Sequence, residues 1–220
     1  MSDQLDQFVS TLCGKNTWAY TGASALLFRD GCLYMEIGKR KHWQVIDGCT
    51  IAPLGGIGGS IESGETLLQT LQRETLEEIG HTIEIVGARH ICAVYEHNAV
   101  TVTSLENESE PAPALLTISS NLYRQNDLSA QILVIATYIA RLQNEPVLND
   151  ILGVLAVPVE LVRQVLTTPE LDLGQALALA GVRLYAKEQL PMQLRLKPAW
   201  TIESLATALN NGVEEFWSSI

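Results

Sequence analysis

Residues 58–81, GGSIESGETLLQTLQRETLEEIGH, constrain this chain more than any other stretch. Two adjacent glycines lead into a segment where Leu68, Leu71, Thr75 and Ile79 recur at helical spacing, with Leu76 at the margin of the stripe. The spacing predicts a helix over residues 65–79, and Gly80 follows as the left-handed residue that ends it. Thr75 falls mid-stripe, where its hydroxyl can bond back to the Leu71 carbonyl. Glu74, Glu77 and Glu78 stand at i, i+3 and i+4, so they project from one side of the helix, which the wheel sets apart from the apolar stripe. Like charges at this spacing cost an isolated helix about 0.2–0.5 kcal/mol per pair. A divalent cation among the three carboxylates would remove that repulsion.

The rest of the chain supplies a frame for such a helix. Residues 2–13 carry Leu5, Phe8, Val9 and Leu12 at helical spacing, with Ser2 or Asp3 as a cap and Gly14 as a stop. Residues 19–28 and 32–37 are β-rich runs around Asp30-Gly31, a strong hairpin signal. The basic cluster Lys39-Arg40-Lys41-His42-Trp43 follows. It reads either as a solvated strand end or as a phosphate-steering edge, with Arg40 and Lys41 as the cations and Trp43 near a base. Residues 51–59 are glycine-rich and extended, and residues 82–95 hold one or two strands. Residues 97–127 form a long polar segment between strands, the kind that is more often functional or disordered than silent. Strands are expected at 131–142 and 153–157, and Pro158 opens a helix that runs to about residue 166. Beyond it come a helix-like 171–180, a strand pair near 182–185 and 192–196, and a terminal helix over 201–217. This order implies a mixed sheet with helices on both faces.

Composition narrows the function classes. A chain of 220 residues with 47% hydrophobic and 18% charged residues has core enough for one elaborated domain. There is no apolar run of membrane-spanning length, and the first residues lack a basic region followed by an apolar stretch, so a cytoplasmic location away from membrane is expected. Cys13, Cys32, Cys49 and Cys92 form no CxxC pair, which argues for reduced, packed thiols. A net charge of −11 does not suit a nucleic-acid partner, though it leaves room for a small phosphorylated substrate whose charge bound cations offset.

The spacing Gly59-x5-Glu65-x7-Arg73-Glu74-Thr75-x-Glu77-Glu78-x-Gly80-His81 resembles the Nudix box and matches all seven of its fixed residues. At ordinary residue usage, such a coincidence arises about once in 10⁸ positions. Thr75 and His81 stand where the family usually has aliphatic residues, and Ile57 where a proline commonly precedes the glycines. The resemblance implies a Nudix-type α/β/α sandwich with a mixed β-sheet over residues 18–167, an N-terminal helical extension at 1–17, and a C-terminal α+β extension at 168–220. It also implies a Mg²⁺-dependent (or Mn²⁺-dependent) pyrophosphohydrolase, acting on a small nucleotide-type substrate in which a nucleoside diphosphate is linked to a second moiety. Metal ligands would be Glu74, Glu77, Glu78 and the Gly59 carbonyl, with Arg73 orienting the loop through Glu65; an i+4 pair of Arg73 with Glu77 is the alternative. The proton of the attacking water would go to a box glutamate or to one outside it, Glu96, Glu106, Glu108 or Glu110. The long 97–127 segment and the C-terminal extension fit a large substrate or a homodimer interface. The competing class is a nucleotide sensor with an appended DNA-facing module. Residues 168–220 oppose it, because their four positive residues stand against six negative ones.

Overall fold

The apolar run Trp18–Arg29 becomes the strand on which the rest assembles. Asp30 and Gly31, both at positive φ (50° and 72°), fold it back onto Cys32–Ile37, and two successive left-handed residues make the tight turn whose twist matches its strands. The structure, a computed structural model, describes residues 3–104, 110–122 and 129–213. In chain order the elements are α1 Asp3–Cys13, β1 Trp18–Arg29, β2 Cys32–Ile37, β3 Gln44–Ile46, β4 Cys49–Gly55, β5 Ile57–Ser60 and α2 Leu67–Ile79. They continue as β6 Glu84–Val86, β7 His90–Tyr95, β8 Ala99–Ser104, β9 Leu115–Ser119, β10 Ile132–Arg141, β11 Gly153–Pro158 and α3 Val159–Thr167. The chain closes with α4 Leu173–Leu177, β12 Arg183–Ala186, β13 Arg195–Pro198 and α5 Trp200–Asn210.

Among the described residues thirteen strands join one mixed sheet, with β1 pairing antiparallel to β2 and β5 and parallel to β10. Strand alternation assigns the two faces. On β2, Leu33, Met35 and Ile37 join the core under α3, α4 and α5, while Cys32 and Tyr34 join the core under α1 and α2. The result is the expected α/β/α sandwich with a mixed sheet. No helix among the described residues is long and apolar enough to cross a membrane.

Several elements differ from the sequence reading. Residues 97–127 are not simply polar connection: β8 makes a hairpin with β7, and β9 runs parallel to β7 and antiparallel to β10. Every residue of Leu115–Ser119 is buried, so the strand shows no alternation, and its polar members are satisfied inside; Thr117 Oγ1 donates to Ser204 Oγ at 2.9 Å. The strands at the C-terminal end do not pair with each other. β12 adds antiparallel to β11, and β13 adds parallel to β4, so both extend the main sheet. The expected helix over 171–180 contracts to α4, and the end of the expected 201–217 helix, with Trp217, lies outside the described residues, as does the proposed cap Ser2. α5 buries Ile202, Leu205 and Leu209 in the same core as Leu33 and Met35. Leu205→Ala is expected to lower stability by about 2–5 kcal/mol. Urea denaturation should show it as one cooperative transition, since α5 shares a core with the central strands.

Candidate active site

A close approach of backbone to carboxylate fixes the site. Gly58 takes a φ of 146°, and a Cβ on it would stand 2.3 Å from the Ala23 carbonyl oxygen, so any side chain is excluded there. Its N–H donates to Glu78 Oε2 at 3.0 Å. A Cβ on Gly59 would lie 2.2 Å from Glu74 Oε1, so α2 can rest on β5 with its carboxylates inward because the strand is bare there.

α2 begins at Leu67 rather than at residue 65. Thr66 is its N-cap in a full capping box with Gln69, which leaves Glu65 in the preceding loop. Gly80 ends it in the left-handed conformation, φ 69°. The buried stripe also differs from the wheel expected above. Leu67, Thr70, Leu71, Thr75 and Ile79 are buried, Leu68 is only partly so and Leu76 is exposed. Glu78 shares that stripe, because it follows Leu71 by seven residues and so sits about 20° from it. Thr75 donates to the Gln72 carbonyl at 3.2 Å, three residues back, rather than to Leu71.

Glu65 and Arg73 lock the glycine loop to the helix. Arg73 Nε and Nη2 donate to the two Glu65 oxygens at 2.8 and 3.1 Å, a bidentate pair, and Nη2 also donates to the Ser60 carbonyl at 3.0 Å. The i+4 contact exists as well: Nη1 reaches Glu77 at 3.3 Å and Glu74 at 2.8 Å. Glu65 is held far below the usual carboxylate range, at about 2, by the Arg73 hydrogen bond and by the Glu62 N–H.

Glu74 and Glu78 line a cavity of about 630 Å³ together with Glu36, which projects from β2. The Glu78 carboxyl is pushed up by burial and then by the Glu36 carboxylate, against the Gly58 N–H that favours the anion. The Glu36 carboxyl is pushed up by burial and by Asp150 and Glu74, against the pull of Lys39. Glu74 is also raised by burial, opposed by Arg73. Lys39 is itself drawn to Asp150 at 2.6 Å, so the acidic cluster is not neutralised locally. Carboxylate and carbonyl oxygens are hard donors of the kind that Mg²⁺ and Mn²⁺ take. Glu36, Glu74, Glu78 and the Gly59 carbonyl therefore fit such a cation chemically, although among the described residues no three acidic side chains yet converge on one point.

The remaining sequence candidates divide. Gly59 and Lys41 line the cavity; Arg40, Trp43, Arg73, Glu65 and Glu77 do not. Arg40 pairs with Glu188 at 2.6 Å and lies 4.7 Å over the Trp43 ring, whose N–H donates to the Gly38 carbonyl at 2.7 Å. This packing turns both away from the role of steering phosphate or meeting a base. The Glu96 carboxylate accepts from Ser119 Oγ and the Ser120 N–H, at 2.9 and 2.8 Å, so it ties a turn to β9. Glu110 is exposed and does not line the cavity, and Glu106 and Glu108 lie outside the described residues. His81 Nε2 bonds the Glu145 carbonyl at 3.0 Å. Sequence reasoning missed Glu36 and Trp200, and of the basic cluster it chose Arg40, Lys41 and Trp43 where Lys39, Lys41 and His42 line the cavity. For Glu36 a signal existed: it is the one carboxylate in the apolar strand CLYMEI.

The NUDIX domain family model matches residues 21–117. The chain carries a NUDIX domain. Solved structures similar to it include the ORF135 protein of E. coli, 14% identical, covering 69% of this chain and 81% of that one, TM-score 0.38. Others are a MutT protein from Bacillus halodurans (16%, 65% and 71%, TM-score 0.32) and a NUDIX hydrolase from Nitrosomonas europaea (13%, 68% and 77%, TM-score 0.37). No protein of curated function matches the chain significantly. The NUDIX domain supports a pyrophosphate hydrolase in general terms; what this one cleaves has to be read from its own residues.

The raised carboxyls make the metal-free protein pH-sensitive in a definite direction. Because Glu36 and Glu78 hold protons in the folded state that the unfolded chain has lost, their contribution to stability declines as pH rises above the ordinary carboxylate value of 4.5. Glu36→Gln and Glu78→Gln are each expected to raise the melting temperature at pH 8 in the presence of chelator, with the difference from wild type closing toward pH 4.5. Thermal denaturation across that range measures it.

Proposed function

We propose that this NUDIX domain hydrolyses the pyrophosphate bond of a nucleoside diphosphate linked to a second moiety, with Mg²⁺ or Mn²⁺ as cofactor. One observation carries the reading. Glu36, Glu74 and Glu78 face a single cavity from two elements while Lys41, which lines the same cavity, makes no ion pair among the described residues. Half-buried like charges repel strongly at low effective dielectric, and a hard cation both relieves that and attracts a polyphosphate.

Each residue then has a part. Glu74, Glu78 and the Gly59 carbonyl hold the cation, which when bound supplies Lewis-acid activation and neutralises charge on the phosphoryl oxygens. Glu36, on the facing strand, takes the proton of the attacking water, because it is the cavity carboxylate that the cation's ligand set on α2 and β5 leaves over. Lys41 binds the departing phosphate. Arg73 touches no substrate in this scheme. It holds Glu65, Glu74, Glu77 and the Ser60 carbonyl, so it positions the glycine loop against α2. Glu77, exposed and bonded to Arg73, serves that network rather than the cation.

The purified protein, assayed with Mg²⁺ or Mn²⁺ on a panel of nucleoside diphosphate derivatives, is expected to release two phosphate-bearing products from at least one of them. Glu36→Gln should lower kcat by about 10²–10⁴-fold. Absence of metal-dependent cleavage across the panel, or full activity in both Glu36→Gln and Glu78→Gln, would sink the assignment. Charge reversal at the basic cluster gives a separate comparison: Lys41→Glu should raise KM, and Arg40→Glu, whose guanidinium is committed to Glu188 and Trp43, should not.

A further inference from the structure

Trp200 opens α5 at a left-handed φ of 49°, a conformation that a bulky side chain holds only when its surroundings impose it. The reason lies in which side of the sheet its ring reaches. Ile202, Leu205 and Leu209 are buried on the face that carries Met35 and Ile37, but the indole lies over Gly55, on the face that carries Glu36. Gly55 is the ladder partner of Glu36. A Cβ there would stand 3.6 Å from Trp200 Cε3 and 3.9 Å from Glu36 Oε2, so the ring sits beside the carboxylate cluster with only bare glycine between.

Trp200 lines the cavity and is 39% exposed. His42 meets it edge-on, ring centroids 6.4 Å apart at 89°. His42 is kept toward its neutral form by burial and by the Lys41 and Lys39 cations, so this wall presents two uncharged rings beside one free ammonium. Leaving so much indole in water forfeits apolar burial worth about 25 cal/mol per Å². Nothing within the described chain covers the exposed part.

We propose that Trp200 is the stacking platform for the substrate's nucleobase, which makes the C-terminal segment, outside the matched residues 21–117, the part of the chain that selects nucleotides. The inference rests on the pyrophosphohydrolase reading for the placement of the phosphates between Lys41 and the carboxylates. A cavity of about 630 Å³ accommodates a nucleotide of that size. Two hydroxyls along the wall are already engaged: Ser24 Oγ donates to the Ile57 carbonyl, and the Thr201 and Thr137 hydroxyls bond each other at 3.2 Å. Stacking on a π-face tolerates any base, so purine and pyrimidine nucleotides both bind.

Binding tests this apart from catalysis. Equilibrium titrations with AMP, UMP and ribose 5-phosphate in Mg²⁺ buffer, read by calorimetry and by tryptophan fluorescence, use the full chain. In wild type both nucleotides bind and quench fluorescence. Trp200→Ala is expected to weaken AMP and UMP by about tenfold or more while leaving ribose 5-phosphate unchanged. Trp200→Phe should keep most of the affinity and lose most of the quenching. If Trp200→Ala does not fold, Trp200→Leu, which retains bulk over Gly55, makes the same comparison. Equal nucleotide affinity in wild type and variant, equal loss of nucleotides and ribose 5-phosphate, or no nucleotide binding by wild type overturns the proposal. Failure of the hydrolase assay with the Trp200-dependent binding intact would instead overturn only the reading of the chemistry.

Discussion

Everything at the site depends on backbone at Gly58 and Gly59 lying where side chains would otherwise be. The carboxylates of Glu74 and Glu78 reach inward only because a strand without Cβ atoms passes beneath them, and the Gly58 N–H supplies the hydrogen bond that a buried oxygen needs. Without that bare strand α2 would have to lift away from β5 or turn these glutamates outward. Backbone conformation, helix register and acid placement are thus one constraint, met by two residues.

That constraint has an energetic consequence. Burial and mutual repulsion raise Glu36, Glu74 and Glu78, so without a cation the folded protein keeps protons there that the unfolded chain would release, and folding costs more as the pH rises. The Arg73 network opposes collapse of the site. Its bidentate grip on Glu65, together with Thr70 Oγ1 donating to the same carboxylate at 2.8 Å, anchors the loop from outside the cavity. Arg73 also reaches the cavity wall itself, through Glu74 at 2.8 Å and the Ser60 carbonyl at 3.0 Å, so one guanidinium ties the loop, the helix and one of the reactive acids together.

Much of this was legible beforehand for identifiable reasons. Periodicity located α2, the Asp30-Gly31 turn located the hairpin, spacing grouped the three box glutamates, and the resemblance to the Nudix box linked Glu65 with Arg73. What failed were statements about partners distant in sequence. The wheel set Glu78 apart from the apolar stripe, whereas its seven-residue spacing from Leu71 places it within that stripe, and the Gly58 N–H, twenty residues earlier, makes the buried position tolerable. Glu36 stood out only as the one carboxylate of an apolar strand, and nothing within β2 reveals that its neighbour across the sheet is Gly55. Trp43 looked like the aromatic for a base by proximity to lysines, but Arg40 covers its ring and Gly38 takes its N–H. β9 escaped because a strand buried throughout, with Thr117 and Ser119 in its run, has no alternation to detect.

The glycine-rich segment spanning β4 and β5 serves two elements. Gly58 and Gly59 receive α2, while Gly55 and Gly56 receive the start of α5: a Cβ on Gly56 would stand 2.4 Å from Ser24 Oγ and 3.2 Å from Thr201 Cγ2. β13, running parallel to β4 from Ile51 to Leu54, delivers α5 to that spot, and the Ala199 N–H donates to the Leu54 carbonyl at 3.0 Å. The seats of α2 and of the start of α5 therefore lie on the same five-residue stretch, although the two helices are far apart in sequence. A shift of that stretch would displace both seats together, so the packing of the C-terminal helix and the placement of the α2 acids are coupled through backbone.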